Sequence, residues 1–379
     1  MSHNIVKNIE TVQNHNYDFS KAKDSLDISM AIVHEVFKFH ESIGNQKTPL
    51  IKLSGLADDL EVRSIFVKDE SHRLSLNAFK GLGASYAMHK QLEKNANIEV
   101  FCTATDGNHG KAVAWMARKL NKKAVIYMPN GTVKDRIDAI EQEGAEVIVI
   151  DGGYDAAVKK AYDKVQSVTD TNSWCLVQDT AWVGYEEIPT DIMRGYLTQA
   201  HEITEQIKDN KIDIIFLQSG VGSWAASIIM YLLSFWKTAP LFVSVEPHSA
   251  NCLFKSIQSA KRVSVKNDET TAMAGLDCGT VSTEAWKILK HGIYGALSIS
   301  DILMEDAVRV FANPIQNDIQ IISGESGASP LAALIGLVKS AEHVDFARAI
   351  KLNNKSNILL INTEGDTDSV NYERILRGV

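Results

Sequence analysis

The sequence predicts two open, mostly parallel α/β domains, with the smaller inserted in the larger. Apolar strands and amphipathic helices alternate along most of the 379 residues, which is the order of an α/β fold. Strands such as AVIYMP (124–129) are largely apolar and are expected to be buried on both faces. Residues 98–189 are the predicted small domain, and 1–97 with 190–379 form the large one. A ligand is expected in the cleft between them, at the carboxyl ends of strands.

The elements of the first half follow this alternation. Residues 1–24 are polar and are predicted to be a loosely ordered arm. A helix is predicted at 25–42, and a strand at 64–67 precedes a helix that begins near Lys80. The small domain has predicted strands at 100–105, 124–129, 145–151 and 174–180, and predicted helices at 109–120, 133–143 and 154–168.

The second half repeats the pattern around a Ser/Thr/Gly-rich segment, 261–283, which is predicted to form loops. The predicted strands are 212–218, 241–247 and 357–365, and the predicted helices are 190–207, 224–236, 306–312 and 331–339.

Composition limits the function classes. The net charge of −8 gives no basic surface for nucleic acid or for a membrane. No apolar run reaches the roughly 20 residues that span a bilayer, and the first 20 residues lack the apolar core of a signal peptide. The four cysteines include no CxxC pair, which argues against a zinc ribbon and fits a reducing cytoplasm. The expectation is a cytoplasmic enzyme without a metal.

Lys80 is the candidate around which the chain is organised. It lies where a strand gives way to a helix, and Gly81 and Gly83 leave room for a flat group near the backbone. Phe79 and these glycines are apolar neighbours that disfavour the charged amine, as a nucleophilic lysine requires. The simpler alternative is a solvated lysine near a helix start.

Three glycine-rich loops lie at strand-to-helix junctions, where free backbone N–H groups favour anions. They are TATDGNHGKAVAW (103–115), QSGVGSWAAS (218–227) and SGESGASPLAAL (323–334). The second loop suits one phosphate. It also satisfies the dinucleotide pattern G-x-G-x-x-A, with Glu246 as the ribose carboxylate, so an NAD-dependent oxidoreductase is an alternative. That alternative leaves Lys80 and the first loop without a role.

The motifs NAFKGLGA, TATDGNHGKA, SGVGS and NTEGDTD, in this order, resemble the pyridoxal-phosphate enzymes of fold type II, the group of tryptophan synthase β, serine and threonine dehydratases and cysteine synthase. Within this group the chain is similar to the diaminopropionate ammonia-lyases. The residues that carry the narrower resemblance are Asp106, where the dehydratases usually have Ser, DTAWVGYEEIP (179–189) and GLDCGTVS (275–282).

The resemblance implies pyridoxal 5′-phosphate as cofactor and a role for each matching residue. Lys80 would hold the cofactor as an imine and remove the α-proton of an L substrate. Thr363 would face the pyridine nitrogen, and a hydroxyl there does not keep that nitrogen protonated, which suits elimination. The other implied cofactor residues are Asn108, at the 3′-oxygen, and Ser219, Gly220, Val221, Gly222 and Ser223, at the phosphate. The implied substrate residues are Thr105, Asp106, Gly107, His109 and Asp179.

Asp106 and Asp179 favour a substrate with an additional cation. A loop that binds the carboxylate of an amino acid gains nothing from added acidic residues, because like charges repel. The β-ammonium of 2,3-diaminopropionate is such a cation, and the carboxylates would hold it protonated until it leaves. Asp106 is also placed to act as a second base for the D isomer, whose α-hydrogen faces the other side of the cofactor. The alternatives are a helix-capping Asp106 and a turn-forming Asp179.

Other residues keep two interpretations. His109 either binds substrate or packs beside the cofactor, Trp182 and Tyr185 either line the cleft or belong to the core, and Glu364 and Asp366 are candidates to support Thr363. Cys252 and Cys278 either pair or are unrelated buried thiols.

The implied function is elimination on D- and L-2,3-diaminopropionate to give pyruvate and two ammonia, by a homodimer as is usual for the family. A serine/threonine dehydratase on the same fold is the nearest alternative. A non-catalytic amino-acid-binding protein is more remote, because a sensor does not need Lys80.

Overall fold

The computed structural model describes residues 8–105, 107–208, 210–266 and 270–378. Within these ranges the strands form two separate sheets. The strands are β1 (Ile9–Gln13), β2 (Leu50–Lys52), β3 (Ser64–Asp69), β4 (Val100–Ala104), β5 (Lys123–Pro129), β6 (Glu146–Ile150), β7 (Trp174–Leu176), β8 (Ile214–Gln218), β9 (Leu241–Pro247), β10 (Gly295–Ile299) and β11 (Asn357–Asn362).

Helices cover both sheets, and among the described residues none of them has the length and apolarity needed to cross a membrane. They are α1 (Phe19–Lys23), α2 (Met30–Ser42), α3 (Ser54–Asp59), α4 (Lys80–Lys94), α5 (Asn108–Lys119), α6 (Lys134–Glu141), α7 (Tyr154–Ser167), α8 (Glu187–Gly195), α9 (Leu197–Ile207), α10 (Ser223–Phe235), α11 (Cys252–Ser259), α12 (Thr283–Gly292), α13 (Asp301–Ala312), α14 (Glu325–Lys339), α15 (Val344–Ala349) and α16 (Ser369–Arg377).

The larger sheet has the strand order β1-β10-β9-β8-β11-β3-β2, and the smaller has the order β6-β5-β4-β7. The small sheet is parallel throughout, while the large sheet is parallel except for its edge strands β1 and β2. The predicted fold class is therefore confirmed. The small sheet lies inside residues 98–189 and the large sheet outside them; the domain boundaries themselves remain a prediction.

Alternate residues of the central strands enter two different cores, which explains their continuous apolar sequence. In β11, Ile358 and Leu360 pack with α13 and α14, whereas Leu359 and Ile361 pack with α9, α10 and α12. The second of these cores continues through α4 and α5 to one face of the small sheet. Helix α4, which begins with Lys80, therefore lies at the junction of the two sheets.

The N-terminal segment differs from the prediction. The expectation of a loosely ordered arm is wrong for residues 8–24, because β1 pairs antiparallel with β10 at the edge of the large sheet. The Asn14 side chain then donates to the carbonyls of Lys290 and Ile293, at 3.0 and 2.7 Å. A short edge strand needs few buried side chains, so its composition resembles that of a loop.

The predicted helix at 190–207 is two helices, α8 and α9, which meet at Gly195 and Tyr196. A Cβ atom at Gly195 would lie 2.5 Å from the Leu82 carbonyl oxygen of α4. The close crossing of α4 and α8 therefore requires glycine here. Tyr196 packs over Gly83 of α4, where a Cβ would lie 2.6 Å from its ring.

A cluster of four fully buried charges holds the turn that precedes Lys80. Arg73 binds Glu70 through Nε at 2.7 Å and Glu202 of α9 through Nη2 at 2.8 Å. Lys68 binds the same Glu202 carboxylate at 2.7 Å. The cluster has no net charge and each carboxylate has a partner, which is the condition under which buried ions are tolerated.

Replacing Arg73 with methionine is expected to lower the free energy of unfolding by roughly 3–5 kcal/mol, because Glu70 loses its cation and Glu202 keeps only Lys68. Urea unfolding followed by circular dichroism measures this loss. The control is Arg118→Met, which removes the partly exposed Arg118–Glu143 pair at 2.6 Å and should cost less than about 1 kcal/mol. Equal losses in the two variants would contradict the account of the cluster.

Candidate active site

One cavity lies where the carboxyl ends of β4, β8 and β11 meet the start of α4. It encloses about 790 Å³, including its opening to solvent. Its wall includes Phe79, Lys80, Ala104, Thr105, Asn108, His109, Tyr154, Asp179, Tyr196, Gln218, Ser219, Gly220, Val221, Gly222, Ser223, Trp224, Ala225, Gly275, Leu276, Cys278, Ser326, Thr363 and Glu364. The structure thus brings together most of the candidate residues from five separate stretches of sequence.

Lys80 and Asp179 form an ion pair on this wall. The distance from Lys80 Nζ to Asp179 Oδ2 is 2.6 Å, and the Asp179 side chain is only 9% exposed. Burial alone would lower the pKa of Lys80, but the Asp179 carboxylate outweighs it and raises this pKa above its ordinary value. Likewise, burial would raise the pKa of Asp179, but Lys80 outweighs it and lowers this pKa. The expectation that apolar neighbours disfavour the charged lysine is therefore wrong in this structure.

Asp179 is held by the first residues of two helices, Ser223 of α10 and Tyr154 of α7. The Ser223 hydroxyl donates to the Asp179 backbone carbonyl at 2.9 Å, which ties Asp179 to the start of α10. The Tyr154 hydroxyl lies 3.4 Å from Asp179 Oδ1 and accepts from Gln178 Nε2 at 2.8 Å. A simple turn residue would not have its carboxylate inside the cavity, so the geometry favours the functional interpretation of Asp179.

The loop that follows β4 and contains Asn108, called the asparagine loop here, contributes Thr105, Asn108 and His109 to the same wall. The Asn108 side-chain amide donates to the Glu364 carboxylate across the cavity. Gly107 donates its N–H to Thr105 Oγ1 at 3.0 Å and is not part of the wall. Asp106, the predicted second base and cation-binding residue, lies outside the described residues. Its role stays a prediction from the sequence.

His109 is neutral in this environment. Its Nε2 lies 2.7 Å from the Val177 carbonyl oxygen, which can only accept, so Nε2 carries the hydrogen. Burial lowers the pKa of His109. The other nitrogen, Nδ1, is buried and has no hydrogen-bond partner among the described residues. His109 therefore presents a hydrogen-bond acceptor and not an acid.

The loop from Ser219 to Ser223 ends β8 and begins α10. Gly222 has φ of +85°, and a Cβ there would lie 2.6 Å from Leu289 Cδ1, so both the backbone and the packing require glycine. No side chain of the described residues caps the N-terminus of helix α10, so its first N–H groups are available for an anion. The Ser219 hydroxyl is buried and has no partner in the part of the chain that the structure describes. This arrangement suits the phosphate predicted for the loop.

Thr363 follows β11 and faces the same cavity. Its Oγ1 accepts from Gln218 Nε2 at 2.8 Å. The adjacent Glu364 accepts from the backbone N–H of Ser326 at 3.0 Å as well as from Asn108. Glu364 thus links the two sides of the cavity, whereas Asp366 is not part of its wall.

Glu246 does not serve as a ribose carboxylate. It is buried and accepts from the N–H groups of Leu253 and Phe254 at 2.7 and 2.5 Å, at the start of α11. Burial raises its pKa to about 8. The carboxylate needed by the dinucleotide alternative is therefore already used to cap a helix.

The remaining candidates are resolved by their contacts. None of the four cysteines, all of which lie in the described ranges, forms a disulfide, so the pairing of Cys252 with Cys278 is wrong. Both thiols still lie near Gly220: Cys252 Sγ is 3.8 Å from its carbonyl oxygen, and Cys278 is part of the cavity wall. Trp182 and Tyr185 stack at 4.4 Å and pack against the small-domain core; they are not part of the wall.

The cavity fits the cofactor that the resemblance implies. Five buried polar atoms of residues on its wall have no partner among the described residues, as is expected where a polar ligand binds. They are His109 Nδ1, Tyr196 Oη, Gln218 Oε1, Ser219 Oγ and Ser326 Oγ. The Lys80 amine matches the aldehyde of pyridoxal phosphate, and the start of α10 matches its phosphate. The Thr363 hydroxyl at the end of β11 matches its pyridine nitrogen.

Several residues of the wall were not predicted. Gln218 ends an apolar strand, and a polar residue at that position of a parallel sheet was the available signal. Tyr154 opens a helix after Gly152 and Gly153, which is the same strand–turn–helix signal. Tyr196 gave no signal, because it lies inside what the sequence presents as one continuous helix.

Comparison with known proteins identifies relatives over nearly the whole chain. Residues 42–364 match the family "Pyridoxal-phosphate dependent enzyme". The diaminopropionate ammonia-lyase of Salmonella typhimurium is 40% identical over 90% of this chain and 91% of its own. The crystal structure of the Escherichia coli diaminopropionate ammonia-lyase with an aminoacrylate-PLP azomethine intermediate has a TM-score of 0.89 at 36% identity, covering 97% of this chain and 96% of that one. The same enzyme in complex with D-serine gives the same values.

The dehydratases are more distant. The biosynthetic L-threonine dehydratase of Salmonella typhimurium is 26% identical over 76% of this chain and 52% of its own.

Proposed function

Because this chain belongs to the diaminopropionate ammonia-lyase family of pyridoxal-phosphate dependent enzymes, we propose that it degrades 2,3-diaminopropionate, as D and L isomers, to pyruvate. One water is consumed and two ammonia molecules are released. The β-nitrogen leaves by elimination and the α-nitrogen by hydrolysis.

The proposed cofactor site uses residues that all lie on the cavity wall. Lys80 would hold the cofactor, the N–H groups from Ser219 to Ser223 its phosphate, Asn108 its 3′-oxygen and Thr363 its pyridine nitrogen. When bound, pyridoxal phosphate withdraws electrons from the α-carbon of an attached amino acid, which acidifies the α-hydrogen and lets a β-substituent leave. The second hydrogen of the Asn108 amide is available for the 3′-oxygen, because Glu364 takes the first.

The observation that carries the substrate assignment is the 2.6 Å ion pair between Lys80 and Asp179. If Lys80 held the cofactor, its nitrogen would no longer be an ammonium partner for Asp179, which would be left as a buried carboxylate. A buried carboxylate without a cation is costly. The β-ammonium of 2,3-diaminopropionate restores the pair, whereas the neutral hydroxymethyl group of serine does not. This charge balance favours the lyase over the dehydratase alternative.

Each proton transfer is then assigned to a side chain of the protein. Lys80 removes the α-hydrogen of the L isomer, which faces the side of the cofactor where the Lys80 amine lies. Asp106 acts as the base on the other side, for the D isomer. Asp179 keeps the β-nitrogen protonated, so that it leaves as ammonia and not as an amide anion. Neutral His109 accepts a hydrogen bond from the substrate through Nδ1, which agrees with its hydrogen on Nε2.

We also propose the homodimer that the family resemblance implies and the cytoplasmic location that the cysteine content predicts. Four cysteines without a disulfide are compatible with a reducing compartment. Sedimentation of the purified protein measures the oligomeric state.

A side-by-side assay tests the substrate assignment. With pyridoxal phosphate present, kcat/KM for 2,3-diaminopropionate should exceed that for D-serine by at least about tenfold, the ratio that corresponds to 1.4 kcal/mol of lost pairing at Asp179. Asp179→Asn should abolish this preference, because the amide no longer selects a cation. A native enzyme that prefers serine would support the dehydratase instead.

A further inference from the structure

Gln218 is the last residue of β8, and its side chain lies on the cavity wall beside Thr363. Its Nε2 is 2.8 Å from Thr363 Oγ1, 3.0 Å from the Ile361 carbonyl oxygen and 3.3 Å from the Ser326 carbonyl oxygen. Both side chains are buried, with 3% exposure each. The resemblance gives Thr363 a role but none to Gln218.

The hydrogen-bond partners fix the orientation of the Gln218 amide. Two of the three neighbours are backbone carbonyls, which accept only, so the NH₂ group and not the oxygen faces them. The Ser326 carbonyl is available because Pro330, four residues later in α14, has no N–H to donate. The opposite amide orientation would place Gln218 Oε1 against these carbonyl oxygens.

The direction of the Thr363 hydrogen bond follows from this orientation. An amide nitrogen has no lone pair to offer, so Thr363 Oγ1 is the acceptor in its bond with Gln218. Among the described residues this is the one hydrogen bond that Thr363 Oγ1 makes. Its own hydrogen is therefore directed away from Gln218 and is available to a ligand in the cavity.

We propose that Gln218 is a positioning residue that forces the Thr363 hydroxyl to donate, and so keeps the pyridine nitrogen of the cofactor unprotonated. The inference rests on the proposed function, since it assumes that Thr363 faces that nitrogen. A nitrogen that accepts a hydrogen bond has its lone pair occupied and gains no proton. Gln218 thereby limits the electron demand of the ring and favours elimination over transamination.

Removing the amide reverses the direction. In Gln218→Met the carbonyls of Ile361 and Ser326 lose a donor, and the Thr363 hydroxyl is the adjacent group with a hydrogen to give. Once it turns toward the Ile361 carbonyl, its lone pairs face the ligand. Protonation of the pyridine nitrogen is then favoured, because the protonated nitrogen can donate a hydrogen bond to these lone pairs.

The test is ¹⁵N NMR of the protein loaded with pyridoxal phosphate that is labelled at the ring nitrogen. Free pyridoxal phosphate below and above its ring titration supplies the protonated and unprotonated reference shifts. The native protein should give the unprotonated signal, and Gln218→Met should move it at least halfway toward the protonated reference. In the Thr363→Val background, Gln218→Met should cause no further movement, because the hydroxyl is absent.

Gln206→Met is the matched control, since Gln206 is partly buried, donates to the Thr48 carbonyl at 2.8 Å and is not part of the cavity wall. It should leave the ¹⁵N signal of the native protein unchanged whatever it does to stability. A protonated signal in the native protein overturns the inference even if Gln218→Met fails to fold. An unmoved signal in folded Gln218→Met, or an equal movement in the Thr363→Val background, also overturns it. Failure of the native protein to bind the cofactor would instead refute the proposed function, and this inference with it.

Discussion

Lys80→Ala is expected to lower kcat for L-2,3-diaminopropionate by about a thousandfold or more, because one amine both holds the cofactor and removes the α-hydrogen. The structure places this amine on the cavity wall, 2.6 Å from the Asp179 carboxylate. Pyruvate release, coupled to a dehydrogenase and followed by absorbance, measures the loss.

Lys80→Arg is the matched control for charge. Arginine preserves a cation beside Asp179, but its guanidinium stays protonated and is not a nucleophile. It should therefore be as inactive as alanine while retaining more of the native stability. Near-native activity in either variant would refute the assignment of Lys80.

Asp106→Asn should lower kcat/KM for the D isomer by about 10²–10⁴-fold, the usual contribution of a general base, and that for the L isomer by less than about tenfold. The two isomers, bound through the same carboxylate and the same α-nitrogen, direct their α-hydrogens to opposite sides of the cofactor. In the proposed site, Lys80 would cover one side only. Paired assays of pure D and L substrate measure the two losses.

Asp179→Asn supplies the comparison, because the β-ammonium leaves from either isomer. Its losses on D and L substrate should agree within about threefold, although each is large. Equal losses for Asp106→Asn would reduce Asp106 to a cation-binding residue. A native protein without activity on the D isomer would exclude a second base altogether.

The fold was predictable where strands are buried on both faces. β8, β9 and β11 are largely apolar, and their positions are close to those expected. Elements whose stability depends on distant partners were not predictable. β1 exists because β10 offers a sheet edge, and α14 begins six residues earlier than expected, at Glu325 rather than Leu331. Gly, Ser and Pro in its first two turns resemble a loop, but buried packing against β8 and β11 stabilises the helix.

The site was predictable wherever the chemistry lies in one loop. The asparagine loop and the phosphate loop each combine glycines with polar residues at a strand end, and both lie on the wall. The environment of Lys80 was not predictable, because its decisive neighbour, Asp179, is 99 residues away along the chain. The Gln218–Thr363 bond spans 145 residues and likewise has no local signal.

An absorption spectrum of the purified protein, loaded with pyridoxal phosphate, shows whether Lys80 binds this cofactor. The account predicts a visible band that borohydride abolishes, with the cofactor mass found afterwards on the peptide that contains Lys80. Adding 2,3-diaminopropionate to unreduced protein should change the band and release two ammonia per pyruvate. A protein that gains no visible band, or that carries the reduced cofactor on a different lysine, would contradict the account.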